Sequence, residues 1–195
     1  MFLILAFSGK KQSGKSTTLT YIKKQLISGC VENNFADMLK IIVFRTLVPI
    51  DLITIGSTPI DWIDRNKSYT LPCGLTVRQA LQVIGTDVFR AMWEPVWINA
   101  WRQRLPPAEG PKAPETVLVS DVRFPNECEA IQALGGKVIR LTRAPFADED
   151  QHSSEMALDG YTKFDAIIDN DKMTVEQANK AVWEKIFKEG WLPNK

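Results

Sequence analysis

Residues 9–16 read Gly9-Lys10-Lys11-Gln12-Ser13-Gly14-Lys15-Ser16. Two glycines five positions apart, then lysine and a hydroxyl residue, fit the pattern of a phosphate-cradling P-loop. The glycines let backbone N–H groups turn inward with no Cβ in the way, which makes a nest for anionic oxygens. A helix beginning near Lys15 would aim its positive N-terminal end at the same oxygens. Lys15 would reach the β- and γ-phosphates of a nucleoside triphosphate, and Ser16 would offer a hydroxyl to Mg²⁺. Gly9, Lys11, Gln12, Ser13, Gly14, Lys15, Ser16 and Thr17 are therefore the expected ATP-binding loop.

A triphosphate site also needs a carboxylate near its metal. Val117-Leu118-Val119-Ser120-Asp121 is a buried-type strand that ends in one, so Asp121 joins Ser16 as an expected Mg²⁺ residue. Transfer of a phosphoryl group to a phosphorylated acceptor crowds negative charges together, and positioned cations must offset them. Arg78, Arg90, Arg123 and Arg143 stand at element ends or in loops, where they can reach a cleft. A phosphate monoester has its second pKa near 6, so it is already a nucleophile at neutral pH and needs no general base. The single histidine, His152, is then expected to make a structural hydrogen bond in a polar loop. Switch GTPases are disfavoured: Asp121 is followed by "DVRFPNE" rather than Asp-x-x-Gly, and "NKSY" lacks the aspartate that reads guanine.

The elements that must position these residues alternate between strand and helix. Phe2–Phe7 is an apolar run suited to a strand covered on both faces. Leu19, Ile22, Leu26 and Ile27 then recur at helical spacing, with Gly29 as a stop. A short strand is expected to end near Phe35, before a helix from about Asp37. Residues 48–75 carry scattered Pro and Gly and read as irregular. Thr76 and Gln79 form a capping-box pattern ahead of a helix bearing Val77, Leu81 and Ile84. Trp93, Trp97 and Trp101 repeat every fourth residue, which predicts an indole stripe, with Trp93 and Trp101 in the core. Lys137–Leu141 and Asp165–Ile168 read as further strands, and Thr174 caps a last helix reaching about Lys188. The fold class is α/β with a mostly parallel sheet flanked by helices.

Totals narrow the function further. The chain has 195 residues, 24 Lys+Arg against 23 Asp+Glu, and 45% apolar residues. That balance argues against broad nucleic-acid binding. No run approaches the roughly 20 apolar residues of a membrane helix, and "MFLILAF" lacks the basic flank of a signal peptide. Cys30, Cys73 and Cys128 are odd in number and scattered, as expected of reduced thiols in the cytoplasm.

The blocks "FADMLK", "RQALQVIGTDVFR", "WINAW", "VSDVRFPNE" with "ALGGKVIRLTR", and "HSSE" with "IIDND" occur in that order. Together they resemble the deoxynucleoside monophosphate kinase family typical of tailed bacteriophages, from residue 2 to about 180. The resemblance implies a single P-loop kinase domain over 1–195. Its core would span about 1–47 and 115–195, with a helical acceptor-binding insertion at about 48–114 and a lid at about 143–160. It implies transfer of the ATP γ-phosphate to a deoxynucleoside 5′-monophosphate in the host cytoplasm, with Mg²⁺, and it suggests a homodimer. Lys15, Asp121, Arg123 and Arg143 would act on the transferring group. Asp37, Lys40, Arg78, Gln82, Gly85, Thr86, Arg90 and Arg123 would face the acceptor, and Trp97 would stack on its base. Arg143 and Lys172 would hold the ATP, with Asn170–Lys172 under the adenine. His152 and Glu155 match the family's H-x-S-E block in the lid, and Arg143-Ala144-Pro145 stands where relatives have Arg-Pro. A kinase for another small phosphorylated acceptor, of the dephospho-coenzyme A type, is the alternative within the class. A non-enzymatic ATP-binding regulator is the alternative outside it.

Overall fold

A computed structural model of the chain describes residues 2–26, 29–53, 56–110, 113–143 and 152–192. Contact density separates two units: one formed by residues 1–34 with 104–195, the other by residues 35–103.

The first unit is built on a five-stranded sheet. Its strands are β1 (Leu3–Ser8), β2 (Cys30–Glu32), β3 (Thr116–Val122), β4 (Lys137–Leu141) and β5 (Ala166–Ile168), in the order β2-β3-β1-β4-β5. Every pairing is parallel. The run predicted from Phe2 to Phe7 is thus the central strand, and Ile4 to Phe7 are buried because layers cover both faces. Helices α1 (Lys15–Gln25) and α8 (Val175–Lys188) pack together, and α6 (Pro125–Gln132) packs on β4. Leu5, Phe7, Leu19, Ile22, Leu118, Ile139, Val182 and Ile186 form one core cluster. Each such side chain taken out of water contributes about 2 kcal/mol before entropy is charged against it. Ile27, expected on α1, lies outside the described residues, and α1 ends at Gln25.

β4 and β5 also share a polar anchor. Asp165, just ahead of β5, accepts from Gln132 Nε2 at 2.9 Å, Val138 N–H at 2.9 Å and Lys137 Nζ at 3.1 Å. Burial alone would push its carboxyl up, but these donors outweigh it and hold the pKa below the usual value.

The second unit is helical: α2 (Asp37–Leu47), α3 (Pro59–Arg65), α4 (Val77–Gln82) and α5 (Val96–Arg102). The α4 axis runs on into a π-helical stretch, Val83–Arg90. Leu39, Val43, Phe44, Trp62, Ile63, Val77, Ala80 and Trp97 form its core. Thr76 and Gln79 make the expected capping box reciprocally.

Four expectations are corrected here. The second strand is Cys30–Glu32 rather than a segment ending near Phe35, which is buried against Trp101 at 4.9 Å between ring centroids. The helical unit begins at Phe35, ahead of the boundary near 48, because α2 packs with α3, α4 and α5. Residues 48–75 are not wholly irregular: Thr58 caps α3 by accepting from Asp61 N–H at 3.1 Å, with Pro59 at its first position. Trp93 precedes α5 and is 52% exposed, so the indole stripe is broken by the turn at Glu94-Pro95.

Candidate active site

The P-loop follows β1 directly. Gly9 is there because nothing larger fits: a Cβ would stand 2.8 Å from the Leu141 carbonyl oxygen and 3.1 Å from Ser13 Cβ. Gly14 begins α1 with φ 99°, and Gln12 also adopts positive φ, 59°. This curl turns the loop into the helix, whose first N–H groups have no partner within the helix and point back toward the loop. Lys11, Gln12, Ser16 and Thr17 are exposed, whereas Ser13 is buried.

Lys15 folds over its own loop. Its Nζ donates to the carbonyls of Gly9 at 2.6 Å and Lys10 at 2.8 Å, and to Ser13 Oγ at 3.4 Å. Burial lowers its pKa to about 8, with the Arg123 charge adding to the fall. Glu155 opposes that shift, Arg140 adds to it, and Asp121 opposes it. Lys15, Arg123, Arg140, Asp121 and Glu155 are therefore one electrostatic cluster at the C-terminal end of the sheet, where open α/β sheets bind ligands.

Arg123 follows β3 and forms an ion pair with Glu155 on α7 (Ser153–Met156). Its pKa is raised: burial works against the charge, but the carboxylates of Glu155, Asp121 and Glu127 together more than offset that. The turn carrying Arg123 is fixed by Glu127, whose Oε2 accepts from Arg123 N–H at 2.8 Å and Phe124 N–H at 3.1 Å. Arg140 on β4 donates to Ser8 Oγ at 2.9 Å. Asp159 meets Lys10 at 2.6 Å and Arg140 at 3.7 Å. His152 caps α7, its Nδ1 accepting from Ser154 N–H at 3.2 Å, as the expectation of a structural hydrogen bond has it. The rest of the expected lid, residues 144–151 with Ala144 and Pro145, lies outside the described residues.

Arg143, after β4, is tied to the turn after β5, which also carries Lys172. Asn170, 2% exposed, accepts from Arg143 N–H at 2.9 Å and donates to the Ser13 carbonyl at 2.8 Å. Lys172 lines a cavity of about 500 Å³ with Asp169, Asp171, Met173 and Gln177.

The residues present fit Mg²⁺. Ser16 exposes its hydroxyl at the start of α1, and the Asp121 carboxylate acts on Lys15 through space. Among the described residues no group of three or more His, Cys, Asp or Glu is arranged as a metal cage. Magnesium held by one or two protein oxygens, waters and substrate phosphates needs none.

Apart from Arg123, the expected acceptor residues fall in the helical unit. Arg78 and Gln82, four apart on α4, share one helix face and are half-buried. Thr86 and Arg90 follow on the π-helical stretch, a form frequent at functional sites. Arg90 is buried and donates to the Glu94 carbonyl at 3.3 Å. Asp37 is buried at the first position of α2. Lys40 pairs with Asp64 at 2.8 Å; burial pushes the Asp64 carboxyl up, but Lys40 and Lys67 hold it below its usual value.

Two of these residues also have packing duties. Gly85 lets the π-helical stretch approach α2, since a Cβ would lie 2.5 Å from Leu39 Cδ2. Trp97 is 5% exposed, sits 5.4 Å from the Phe89 ring, and donates its indole N–H to the Gly85 carbonyl at 2.8 Å. The base-stacking expectation for Trp97 is corrected on that ground: its ring is already packed and its one donor is used.

Sequence reasoning missed Arg140, Asp159, Glu127 and the pairing of Glu155. Arg140 did leave a signal, as the one charge inside the run "VIRL". Glu127 acts locally, on the backbone three and four residues before it, whereas Asp159 and the Glu155 pairing depend on chain segments far apart in sequence.

The family profile for deoxynucleotide monophosphate kinase matches residues 56–182. A protein of Acanthamoeba polyphaga mimivirus, named provisionally as a deoxynucleotide monophosphate kinase, is 31% identical over 192 residues, covering 90% of this chain and 91% of that protein. Among solved structures, TT1252 from Thermus thermophilus aligns with a TM-score of 0.47 at 12% identity, covering 95% of this chain and 98% of that one.

Proposed function

The chain belongs to the deoxynucleotide monophosphate kinase family and is an enzyme of that kind, and from that premise we propose how its residues divide the work. ATP is the donor. The loop N–H groups and Lys15 hold its β- and γ-phosphates. Lys172 and the cavity beside it take the nucleoside end. Ser16 and Asp121 hold Mg²⁺, which when bound neutralises charge on the phosphate oxygens.

The acceptor is a deoxynucleoside 5′-monophosphate, gripped by Arg78, Arg90 and Arg123, with Asp37, Lys40, Gln82 and Thr86 around it. An oxygen of its dianionic phosphate attacks the γ-phosphorus. The new P–O bond forms as the bond to the β,γ-bridging oxygen breaks, and ADP leaves with that electron pair. No proton must be removed, because the acceptor oxygen is already ionised. Lys15, Arg123 and Arg143 stabilise the charge spread over the transferring group.

The observation that carries this division is the cation cluster: Lys15 lies over the P-loop within the fields of Arg123 and Arg140. Arg123 is held by Glu155 and Arg140 stands 3.7 Å from Asp159, which fixes the cations beside the loop. Among the described residues no helix is long and apolar enough to cross a membrane; a small-molecule acceptor in the cytoplasm and a homodimeric assembly complete the proposal. A coupled ADP-release assay with Mg-ATP and a panel of deoxy- and ribonucleoside monophosphates tests it. Release that depends on a deoxynucleoside monophosphate supports the reading, and acceptor-independent release refutes it. Sedimentation tests the dimer.

A further inference from the structure

Asn170 is buried, with both ends of its amide in use and a glycine against its nitrogen. Its Nδ2 donates to the Ser13 carbonyl at 2.8 Å and its Oδ1 accepts from Arg143 N–H at 2.9 Å. A Cβ at Gly14 would stand 3.7 Å from that Nδ2, so the amide rests on the loop where it enters α1. The amide orientation follows from its partners: turned over, it would set N–H against N–H and oxygen against oxygen.

The turn that carries Asn170 is itself held. Thr142 N–H donates to the Ile168 carbonyl at 3.2 Å, and Thr142 Oγ1 donates to Asp169 Oδ1 at 3.0 Å. Asp171 N–H donates to the same Asp169 oxygen at 3.2 Å. Asn170 thus joins a fixed turn to a loop that Lys10 also ties to Asp159 at 2.6 Å and that is otherwise held by local bonds, such as Ser13 N–H to the Lys10 carbonyl at 3.2 Å.

We propose that Asn170 is a positioning residue for the triphosphate: by holding the Ser13 carbonyl outward it keeps the neighbouring N–H groups turned toward the phosphates, and through Arg143 N–H it ties that loop to the segment bearing Arg143. The Ser13 carbonyl and the Gly14 N–H belong to one planar trans peptide and point in opposite directions, so fixing that carbonyl on one side of the loop commits that N–H to the other. Asparagine suits the position because the site needs one donor and one acceptor side by side; aspartate would face a carbonyl oxygen with a carboxylate.

This inference rests on the P-loop reading under "Proposed function", and the test separates the two. Nucleotide binding is measured by titrating ATP and ADP calorimetrically into the parent, Asn170→Ala, Asn170→Asp and Asp165→Asn. KM values for ATP and acceptor are measured alongside. Asp165→Asn loosens the opposite end of β5 and controls for general destabilisation. A parent that binds ATP but turns over no acceptor refutes the kinase reading, while the binding arm still judges Asn170.

Losing the Ser13 bond is expected to weaken nucleotide binding about tenfold in Asn170→Ala, with acceptor KM within about twofold of the parent. Asn170→Asp should show the same loss at pH 8. It should recover toward the parent as pH falls to about 5.5, because a buried protonated carboxyl regains the missing donor. That recovery carries the test if the alanine variant does not fold. Nucleotide affinity within about twofold of the parent, a loss matched by Asp165→Asn, or an Asn170→Asp deficit that does not change with pH would each overturn the proposal.

Discussion

Glu155 holds Arg123 in an ion pair across 32 positions of sequence, so the H-x-S-E block and the strand-end arginine act on one another directly. Arg123 is also held from behind, through Glu127 and the backbone of its turn. The guanidinium is therefore aimed before any phosphate arrives. Glu155→Gln should keep the fold and lose the aim. Because the pair is partly exposed, the expected effect is about two- to fivefold on acceptor KM, with ATP binding unchanged. Steady-state kinetics with each substrate varied in turn would show it; a larger effect on ATP than on the acceptor would contradict the assignment.

Lys15 should make nucleotide binding depend on alkaline pH. Its pKa is about 8 in the ligand-free protein, and adjacent phosphates must raise it. Between those two values the complex carries a proton that the free protein lacks. Affinity should then fall as pH rises above 8, by up to about tenfold per unit. Calorimetry in buffers of different ionisation enthalpy should find almost no proton uptake at pH 6.5 and nearly one proton at pH 9. Lys15→Met should abolish the uptake.

The same lysine should be a stability liability. A base whose folded pKa lies below its unfolded value of 10.5 costs stability wherever it is charged, and the cost is relieved as pH climbs from about 8 through 10.5. Thermal melts of Lys15→Met at pH 7 should match or exceed the parent Tm, while turnover falls by about a hundredfold or more. A clear drop in Tm would mean that the three contacts made by Nζ outweigh its desolvation.

Asp165→Asn should cost about 1–3 kcal/mol at pH 7. The folded carboxyl is depressed below 3.8, so its contribution is present above that pH and disappears as pH falls through the folded value. Denaturant midpoints of variant and parent should therefore converge toward pH 3. A constant gap would show that packing, rather than charge, anchors the end of the sheet.

Trp97→Phe tests a residue that sequence and structure assign differently. Loss of the bond to the Gly85 carbonyl should lower stability by about 1–2 kcal/mol. Acceptor KM should stay within about twofold. A selective rise in KM for one base would restore the stacking role.

These cases show which information lies along the chain and which does not. The P-loop, the β3 carboxylate and the capping boxes at Thr76 and Thr174 are local patterns, and each stands where its spacing puts it. β2 escaped because Val31 and Glu32 are exposed on an edge strand, which leaves no buried run to find. α3 escaped because Pro and Gly around it masked the Thr58-Pro59 start. Trp93 misled because spacing of four was read through Pro95, which ends one helix and begins another. The partners of Arg123, Lys10 and Ser13 are invisible at this level, being 32, 149 and 157 residues away.

The sheet order also sets a timetable for the ribosome. β1 is made first, yet it sits centrally and pairs with β3 and β4, Leu3 lying opposite Thr116 and Leu5 opposite Lys137. The strand that launches the P-loop must wait through synthesis of the whole 35–103 unit, which is continuous and whose core lies within itself. Ile4 to Phe7, wholly buried in the finished sheet, are in the meantime a short apolar β-prone segment without partners, the kind of stretch that invites aggregation. Translation speed across residues 104–141 therefore bears on yield, and a chain truncated before β4 should be recovered in the insoluble fraction.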